Sequence, residues 1–175
     1  MKRKRSETPT PVRPVIRTMD RRDFVEVVAI EYTAFEHHWS YQDFVAAQEH
    51  PNNVCRVAEL DDAVAGYMIY KLARARLELV NLAVAAPLRR QGIATALLDK
   101  LKSQLSQQRR TRITAPVRER NLAGQLLLRA CGFRCVEVLH GTYDESDEDA
   151  YLFRFRHRDL GLVSMRPAGL GPLVE

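Results

Sequence analysis

The segment from Leu77 to Leu105 constrains this chain more than any other. A strand-like run, Leu77 to Val84, passes through the turn Ala85-Ala86-Pro87-Leu88-Arg89-Arg90-Gln91-Gly92 into a helix-like run that starts at Ile93. The turn reads Arg-x-x-Gly-x-Ala from Arg89 to Ala94. The first N–H groups of a helix have no intrahelical acceptor and carry partial positive charge, so such a turn suits a pyrophosphate. Gly92 permits close approach of a ligand to the backbone, Ala94 does not shield the amides, and Arg89 and Arg90 add cationic reach.

The rest of the chain can be read around this unit. Residues 13–18 read as a short edge strand in which Pro14 is tolerated. Asp20 is expected to cap a helix with Phe24, Val27, Val28 and Glu31 on one face, and Ser40 a second helix that runs to about His50. Val54 to Leu60, Ala63 to Leu72 and Ala75 to Val84 read as an antiparallel meander, with Asp61-Asp62 as the first turn. Ile93, Leu97, Leu98, Leu101 and Leu105 form one apolar stripe on the helix after Gly92. Thr111 to Val117 is a further strand. Asn121 caps a helix carrying Leu122, Leu126 and Leu127 that stops at Gly132. Phe133 to Leu139 and Tyr151 to Phe155 are two late strands, separated by the acidic loop Asp144 to Asp149. The expected fold is α/β: a mixed, mostly antiparallel twisted sheet of about six to seven strands flanked by about four helices. Residues 1–12 are expected to be a disordered basic leader, residues 13–157 the domain, and residues 158–175 a loose tail.

Bulk properties narrow the function. A chain of 175 residues, 46% of them hydrophobic, fits one domain with a sizeable core. No apolar run is long enough to span a membrane, and the basic N-terminus lacks the apolar region of a secretory signal. Cys55, Cys131 and Cys135 make neither a disulfide framework nor a zinc spacing, so a cytoplasmic setting and no metal are expected. Net charge is +5. Lys2, Arg3, Lys4 and Arg5 against Glu7 put +3 of it in the first twelve residues, so the remainder carries only +2. The leader is expected to be solvated and to touch RNA weakly at most.

Several segments together resemble the GCN5-related N-acetyltransferase superfamily, and within it the branch that acetylates protein N-termini, including the bacterial ribosomal-protein-alanine acetyltransferase. They are Ala34-Phe35-x-x-x-Trp39-Ser40, Asn81-Leu82-Ala83-Val84, Arg89-Arg90-Gln91-Gly92-Ile93-Ala94, Val117-Arg118-x-x-Asn121, Cys131-Gly132-Phe133, Tyr143 and Glu148-Asp149-Ala150. The likeness runs from about residue 13 to residue 156. It implies acetyl-CoA as co-substrate. Leu82 and Val84 match the positions whose backbone groups, exposed by a splay beside the strand, meet the pantetheine. Gln91, Gly92, Ala94 and Thr95, with Arg89 beside them, match the pyrophosphate loop. Asn121 matches a cofactor-contacting asparagine, and also suits a plain helix N-cap. Phe35 and Trp39 match the wall of the peptide mouth, with ordinary aromatic core packing as the alternative. Tyr143 matches a tyrosine of the peptide groove.

The chain departs from that branch at two chemical positions. The family places a glutamate base five residues before the asparagine, where this chain has Pro116, and a tyrosine acid seven residues after it, where this chain has Leu128. Neither replacement transfers a proton. Glu78, on the strand leading to the splay, and Tyr143, through water, are the groups left for the base role; the alternative for Glu78 is an exposed strand carboxylate beside Arg76. An α-amine has a pKa near ~7.8 and a lysine amine near ~10.4, so at pH 7 about a tenth of the first is neutral and about 0.04% of the second. A weakened base therefore suits an N-terminal amine. The expected reaction is direct attack of that amine on the thioester, with the Val84 amide free to stabilise the oxyanion and no cysteine nucleophile. The expected partner is a protein N-terminus, that of a ribosomal protein among the candidates. Two alternatives stay open: acetylation of a small-molecule amine, and an acetyl-CoA-binding module with impaired catalysis.

Overall fold

The computed structural model describes residues 13–142 and 148–160. It contains one seven-stranded sheet in the order β1-β2-β3-β4-β5-β7-β6, with strands β1 (Val15–Thr18), β2 (Asn53–Leu60), β3 (Ala63–Leu72), β4 (Arg76–Val84), β5 (Arg112–Arg118), β6 (Arg134–Leu139) and β7 (Ala150–Arg156). All neighbours are antiparallel except β4 and β5. Four α-helices accompany it: α1 (Phe24–Ala34), α2 (Tyr41–Glu49), α3 (Ile93–Lys102) and α4 (Leu122–Ala130). Strand count, helix count and the β2-β3-β4 meander match the sequence expectation.

Hydrophobic layers lie on both sides of the sheet, the α1–α2 layer over β2 to β4 only. Helices α1 and α2 pack Phe24, Val27, Ile30, Phe44 and Ala47 against Val57, Val64, Tyr67, Ile69 and Ala83 of β2 to β4. Helices α3 and α4 cover the other face, where the stripe Ile93, Leu97, Leu98, Leu101 and Leu105 is fully buried, as the spacing requires. Leu105 completes the stripe from a tight turn beyond the helix, its N–H donating to Lys102 C=O at 3.0 Å.

Some expectations need correction. Asp20 caps only a 3-10 turn, Arg21–Asp23, and α1 starts at Phe24. Helix α4 does not bury the face its leucine spacing suggested: Leu122 and Leu126 are exposed, and Leu128 is the buried leucine. The helix meets the sheet over its C-terminal half, where Leu128 and Cys131 join Phe133 and Phe153 in the core. Residues His157–Asp159, at the expected boundary between domain and tail, form a 3-10 turn. The leader 1–12, residues 161–175, and Tyr143 with most of the acidic loop lie outside the described residues. Among those described, no helix is long and apolar enough to cross a membrane.

Candidate active site

Strands β4 and β5 separate to form the centre of the site. Their pairing covers only Arg76 with Arg112, Leu77 with Ile113 and Glu78 with Thr114. Beyond Glu78 the two strands have no register, while β4 continues to Val84 and β5 to Arg118. A wedge therefore opens in the middle of the sheet, with Glu78 and Thr114 at its apex. Val80 forms a bulge opposite the Ile69–Tyr70 step. This extra residue shifts the alternation of β4. Leu79, Leu82 and Val84 then pack with the α3 layer, whereas Ala83 packs with α1 and Asn81 reaches the α1 residue Glu31.

The backbone groups lining the wedge follow from ladder geometry. The Ala85 N–H donates to Ala65 C=O at 2.9 Å, and Gly66 stands opposite Val84. Bonded and non-bonded pairs alternate along an antiparallel ladder. Leu82 and Val84 thus occupy non-bonded pairs and turn their amide groups away from β3, into the wedge. The Val84 carbonyl accepts from Arg89 Nε at 3.1 Å, while both N–H groups and the Leu82 carbonyl have no partner among the described residues. On β5, bonds from His157 N–H to Thr111 C=O (2.8 Å) and from Glu119 N–H to Asp149 C=O (2.9 Å) bracket the ladder with β7. By the same alternation Pro116 faces its nitrogen into the wedge. A proline in an internal strand is tolerated there because no ladder bond is lost.

At the wide end of the wedge lies the N-terminus of α3. Arg90 (φ 65°) and Gly92 (φ 86°) are both left-handed, and a Cβ on Gly92 would meet nothing within 4 Å. Among the described residues no group accepts from the amides of Gln91, Gly92, Ile93, Ala94 or Thr95, and Ala96 is the first to donate, to Gly92 C=O at 2.9 Å. Five consecutive donors at a helix start, with no Cβ at Gly92, are an arrangement that suits an anion. Gln91 is fixed by Nε2 donating to Pro87 C=O at 3.3 Å. On the far side Asn121 caps α4 by accepting the Gly124 N–H at 2.9 Å on Oδ1. Gly124 leaves the room for this, because a Cβ there would lie 3.0 Å from both amide atoms of Asn121.

The α1 side carries a residue that the sequence reading counted only as part of a helix face. Glu31 is 1% exposed, and its carboxylate collects three donors. Trp39 N–H donates to Oε1 at 2.9 Å, the Tyr67 hydroxyl donates to Oε2, and Asn81 Nδ2 reaches both oxygens at 3.3 Å. Burial and the neighbouring Glu31 charge push the Tyr67 phenol far above its ordinary range, so it remains a donor. One buried charge thereby ties the α1–α2 loop to β3 and to β4 beside the bulge. A carboxylate at an apolar-stripe position of α1 was the sequence signal for it. The loop holds Phe35 and Trp39, both half-buried against the α1–α2 layer, with Trp39 edge-on to Phe44 at 5.4 Å.

The remaining sequence-derived residues divide. Glu78 sits at the wedge apex, but its Oε1 accepts from Arg76 Nε at 2.7 Å and lies 2.5 Å from the second guanidinium nitrogen. Leu128 is buried in the core. Cys131 is packed, with its thiol pushed up by burial, and Cys55 is buried and pushed up to about 11. Tyr143 lies outside the described residues.

Comparison with known proteins agrees with this geometry. The model of the acetyltransferase (GNAT) family matches residues 16–133. An uncharacterized N-acetyltransferase of Methanocaldococcus jannaschii is 27% identical over 161 residues, covering 91% of this chain and 97% of the relative. An N-alpha-acetyltransferase of Saccharolobus solfataricus is 28% identical over 143 residues, covering 74% and 85%. Among solved structures, the ribosomal-protein-S18-alanine N-acetyltransferase from Escherichia coli superimposes with a TM-score of 0.71 at 23% identity, over 89% of this chain and 97% of the other. Arabidopsis thaliana NAA60 in complex with acetyl-CoA gives 0.70 at 21%, over 81% and 98%. With a family model spanning most of the chain and a sheet wedge beside an open helix N-terminus, this protein belongs to the acetyltransferase (GNAT) family and is an N-acetyltransferase.

Proposed function

We propose that the protein transfers the acetyl group of acetyl-CoA to the α-amine at a protein N-terminus, with a ribosomal protein as the first candidate. The observation that carries the reading is the continuity of unpaired backbone donors. They run from the Gln91–Thr95 amides, past Val84 and Leu82, toward the apex at Glu78. The pyrophosphate would be held by the amides of Gln91, Gly92, Ala94 and Thr95, and the pantetheine by Leu82 and Val84, with Asn121 contacting the cofactor from α4. Arg89, anchored on Val84, supplies positive charge beside the phosphates. The half-buried Phe35 and Trp39, in a loop tied to β4 through Glu31, suit the wall of a peptide mouth; Tyr143 is proposed for the opposite wall.

In the proposed reaction the amine nitrogen bonds to the acetyl carbon and the carbon–sulfur bond breaks. The thiolate leaves and takes up a proton, and the amine loses one. The Leu82 and Val84 N–H groups face the region where negative charge develops on the carbonyl oxygen. Glu78 is proposed as the base, with Tyr143 as a relay through water. The Arg76 pair on Oε1 leaves Oε2 with no partner among the described residues. The setting we propose is the cytoplasm, where the thiols Cys55, Cys131 and Cys135 stay free.

A second reading has one observation in its favour. Pro116 and Leu128 occupy the family's base and acid positions, and the Glu78 carboxylate is ion-paired, which suits a module that binds acetyl-CoA and has lost catalysis. One experiment separates the two. Peptides copying ribosomal-protein N-termini, incubated with acetyl-CoA, are expected to gain one acetyl group at the α-amine by mass spectrometry, with turnover collapsing in Glu78→Gln. Acetylation of a small amine alone would replace the peptide by a small substrate. Tight acetyl-CoA binding without turnover on any amine would favour the inactive module.

A further inference from the structure

The helices α1 and α2 cover only part of their side of the sheet. The apolar layer they form takes strand residues from β2, β3 and β4 and none from β5, β6 or β7. On the uncovered part the register aligns arginines. Arg76 stands beside Arg112, Arg112 opposite Arg156, and Arg134 opposite Arg154. Residues in register share a face, and the intervening Leu77, Ile113, Phe153 and Phe155 are buried on the other side. Five guanidiniums thus lie on four adjacent strands. Arg112, Arg134, Arg154 and Arg156 have no carboxylate partner among the described residues. Among the described residues the carboxylates near this face are Glu78, paired with Arg76, Glu137 on the edge strand, Glu148 at Arg118 beyond the arginine rows, and Asp159, which accepts the Arg156 backbone N–H at 3.0 Å and partly offsets the charge there. The crowding is electrostatically costly: Arg154, Arg158 and Arg112 hold the Arg156 guanidinium below its ordinary range. Like charges in register destabilise a sheet, so this arrangement calls for an anionic partner.

The patch adjoins the reaction apex. Glu78 is in register with Thr114, Thr114 with Arg154 and Arg154 with Arg134. At about 4.8 Å between strands, Arg154 lies about 10 Å and Arg134 about 14 Å from Glu78, and the Arg112–Arg156 row about 7 Å further along the strands. An extended peptide advances about 3.3 Å per residue, so a chain whose amine sits at the apex brings its third to sixth residues over these rows. Guanidinium forks match carboxylates bidentately. Single-stranded RNA is bound by aromatic stacking platforms, and among the described residues this face carries Thr114, Pro116 and Leu152 between its arginines and no aromatic ring.

We propose that the open face of β5, β7 and β6, through Arg112, Arg134, Arg154 and Arg156, docks acidic residues at about positions three to six of the polypeptide whose N-terminus is acetylated. The inference rests on the reading of a protein N-terminus as acceptor and narrows it to termini followed by acidic residues. The test uses the full chain and three peptides: Ala-Ala followed by four glutamates, the same with four glutamines, and the same with four lysines. The glutamate peptide is expected to show a KM about tenfold or more below the glutamine peptide, an advantage that fades with added salt, and the lysine peptide the highest KM. In the double variant Arg154→Glu/Arg156→Glu the order should invert, with the lysine peptide gaining; a fold defect alone would weaken all three. Arg154→Gln/Arg156→Gln should abolish the discrimination if the charge-reversed protein does not fold. Equal KM values for the glutamate and glutamine peptides in wild type would overturn the proposal. So would a single-stranded RNA that binds through these arginines without affecting the glutamate peptide. If no peptide is acetylated although acetyl-CoA binds, the acceptor reading fails. The face is then judged by fluorescence anisotropy of the labelled glutamate peptide, whose binding must weaken in the Arg154/Arg156 variants.

Discussion

Tyr67→Phe is the cleanest probe of the charge buried beside the wedge. The substitution removes one hydroxyl and keeps the ring, which lies edge-on to Phe44 at 5.4 Å, so packing is preserved. It takes away one of three donors from a Glu31 carboxylate that is 1% exposed. A hydrogen bond to a charged group contributes about 1.5–3 kcal/mol, and no solvent is at hand to replace it. For a domain of this length each kcal/mol moves Tm by about 2–4 °C, giving an expected fall of about 3–12 °C. Glu31→Gln should also destabilise, because its amide nitrogen is a donor among donors. The double variant should cost less than the two singles combined, with a coupling of about 1 kcal/mol or more, because the carboxylate that needs the hydroxyl is gone. Urea unfolding gives the numbers, followed by circular dichroism and by the fluorescence of Trp39. Trp39 is the only tryptophan in the chain, and its backbone N–H donates to Glu31. Glu31→Gln should therefore shift the native emission as well as the midpoint. Tyr67→Phe within about 0.5 kcal/mol of wild type, or strict additivity, would refute the picture of a charge held by three donors.

Three further outcomes follow from other parts of the structure. Gly66→Ala should destabilise by about 1–3 kcal/mol and weaken acetyl-CoA binding in calorimetry, since its Cβ would lie 2.8 Å from the Ala83 carbonyl and push β4 where it lines the wedge. Asp23 is held below the usual carboxylate range chiefly by Arg17, which donates to it at 2.7 and 2.9 Å. A depressed carboxyl contributes stability that is full above about pH 4 and is lost as pH falls below that value, so thermal melts between pH 7 and pH 2.5 should fall more steeply at the acid end for wild type than for Asp23→Asn. In the native protein a thiol reagent at pH 8 should modify Cys135, which is exposed, well before Cys55 and Cys131, whose thiols burial pushes up.

Sequence legibility followed the range of the physics involved. The α3 stripe was readable because a 3.6-residue period survives in one local run, and Leu105 obeyed it even beyond the helix end. Ser40 as a cap was readable for the same reason: it accepts the Asp43 N–H at 3.3 Å, within four residues of chain. The α4 leucines were misleading because their spacing says which side is apolar, not how much of the helix reaches the sheet; Leu122 and Leu126 overhang it. Pro116 was legible as a missing base but not as a residue suited to the wedge, which needs the register of β5 on β7. Glu31 was hidden because its three partners come from positions 39, 67 and 81, and nothing local marks them as neighbours. The arginine face was hidden in the same way, since it exists only once β4, β5, β7 and β6 lie side by side in register.

The amides that open α3 and line β4 carry the proposed acetyl-CoA binding. Hydrogen exchange of the full chain, with and without saturating acetyl-CoA, measures them directly. Gln91 to Thr95 are expected to exchange fast in the free protein, having no acceptor among the described residues. They and the Leu82 and Val84 amides should become protected with acetyl-CoA, more than the paired amides of β2 on the far side of the sheet. Exchange at Gln91–Thr95 that stays unchanged while acetyl-CoA is bound would contradict the account at its root.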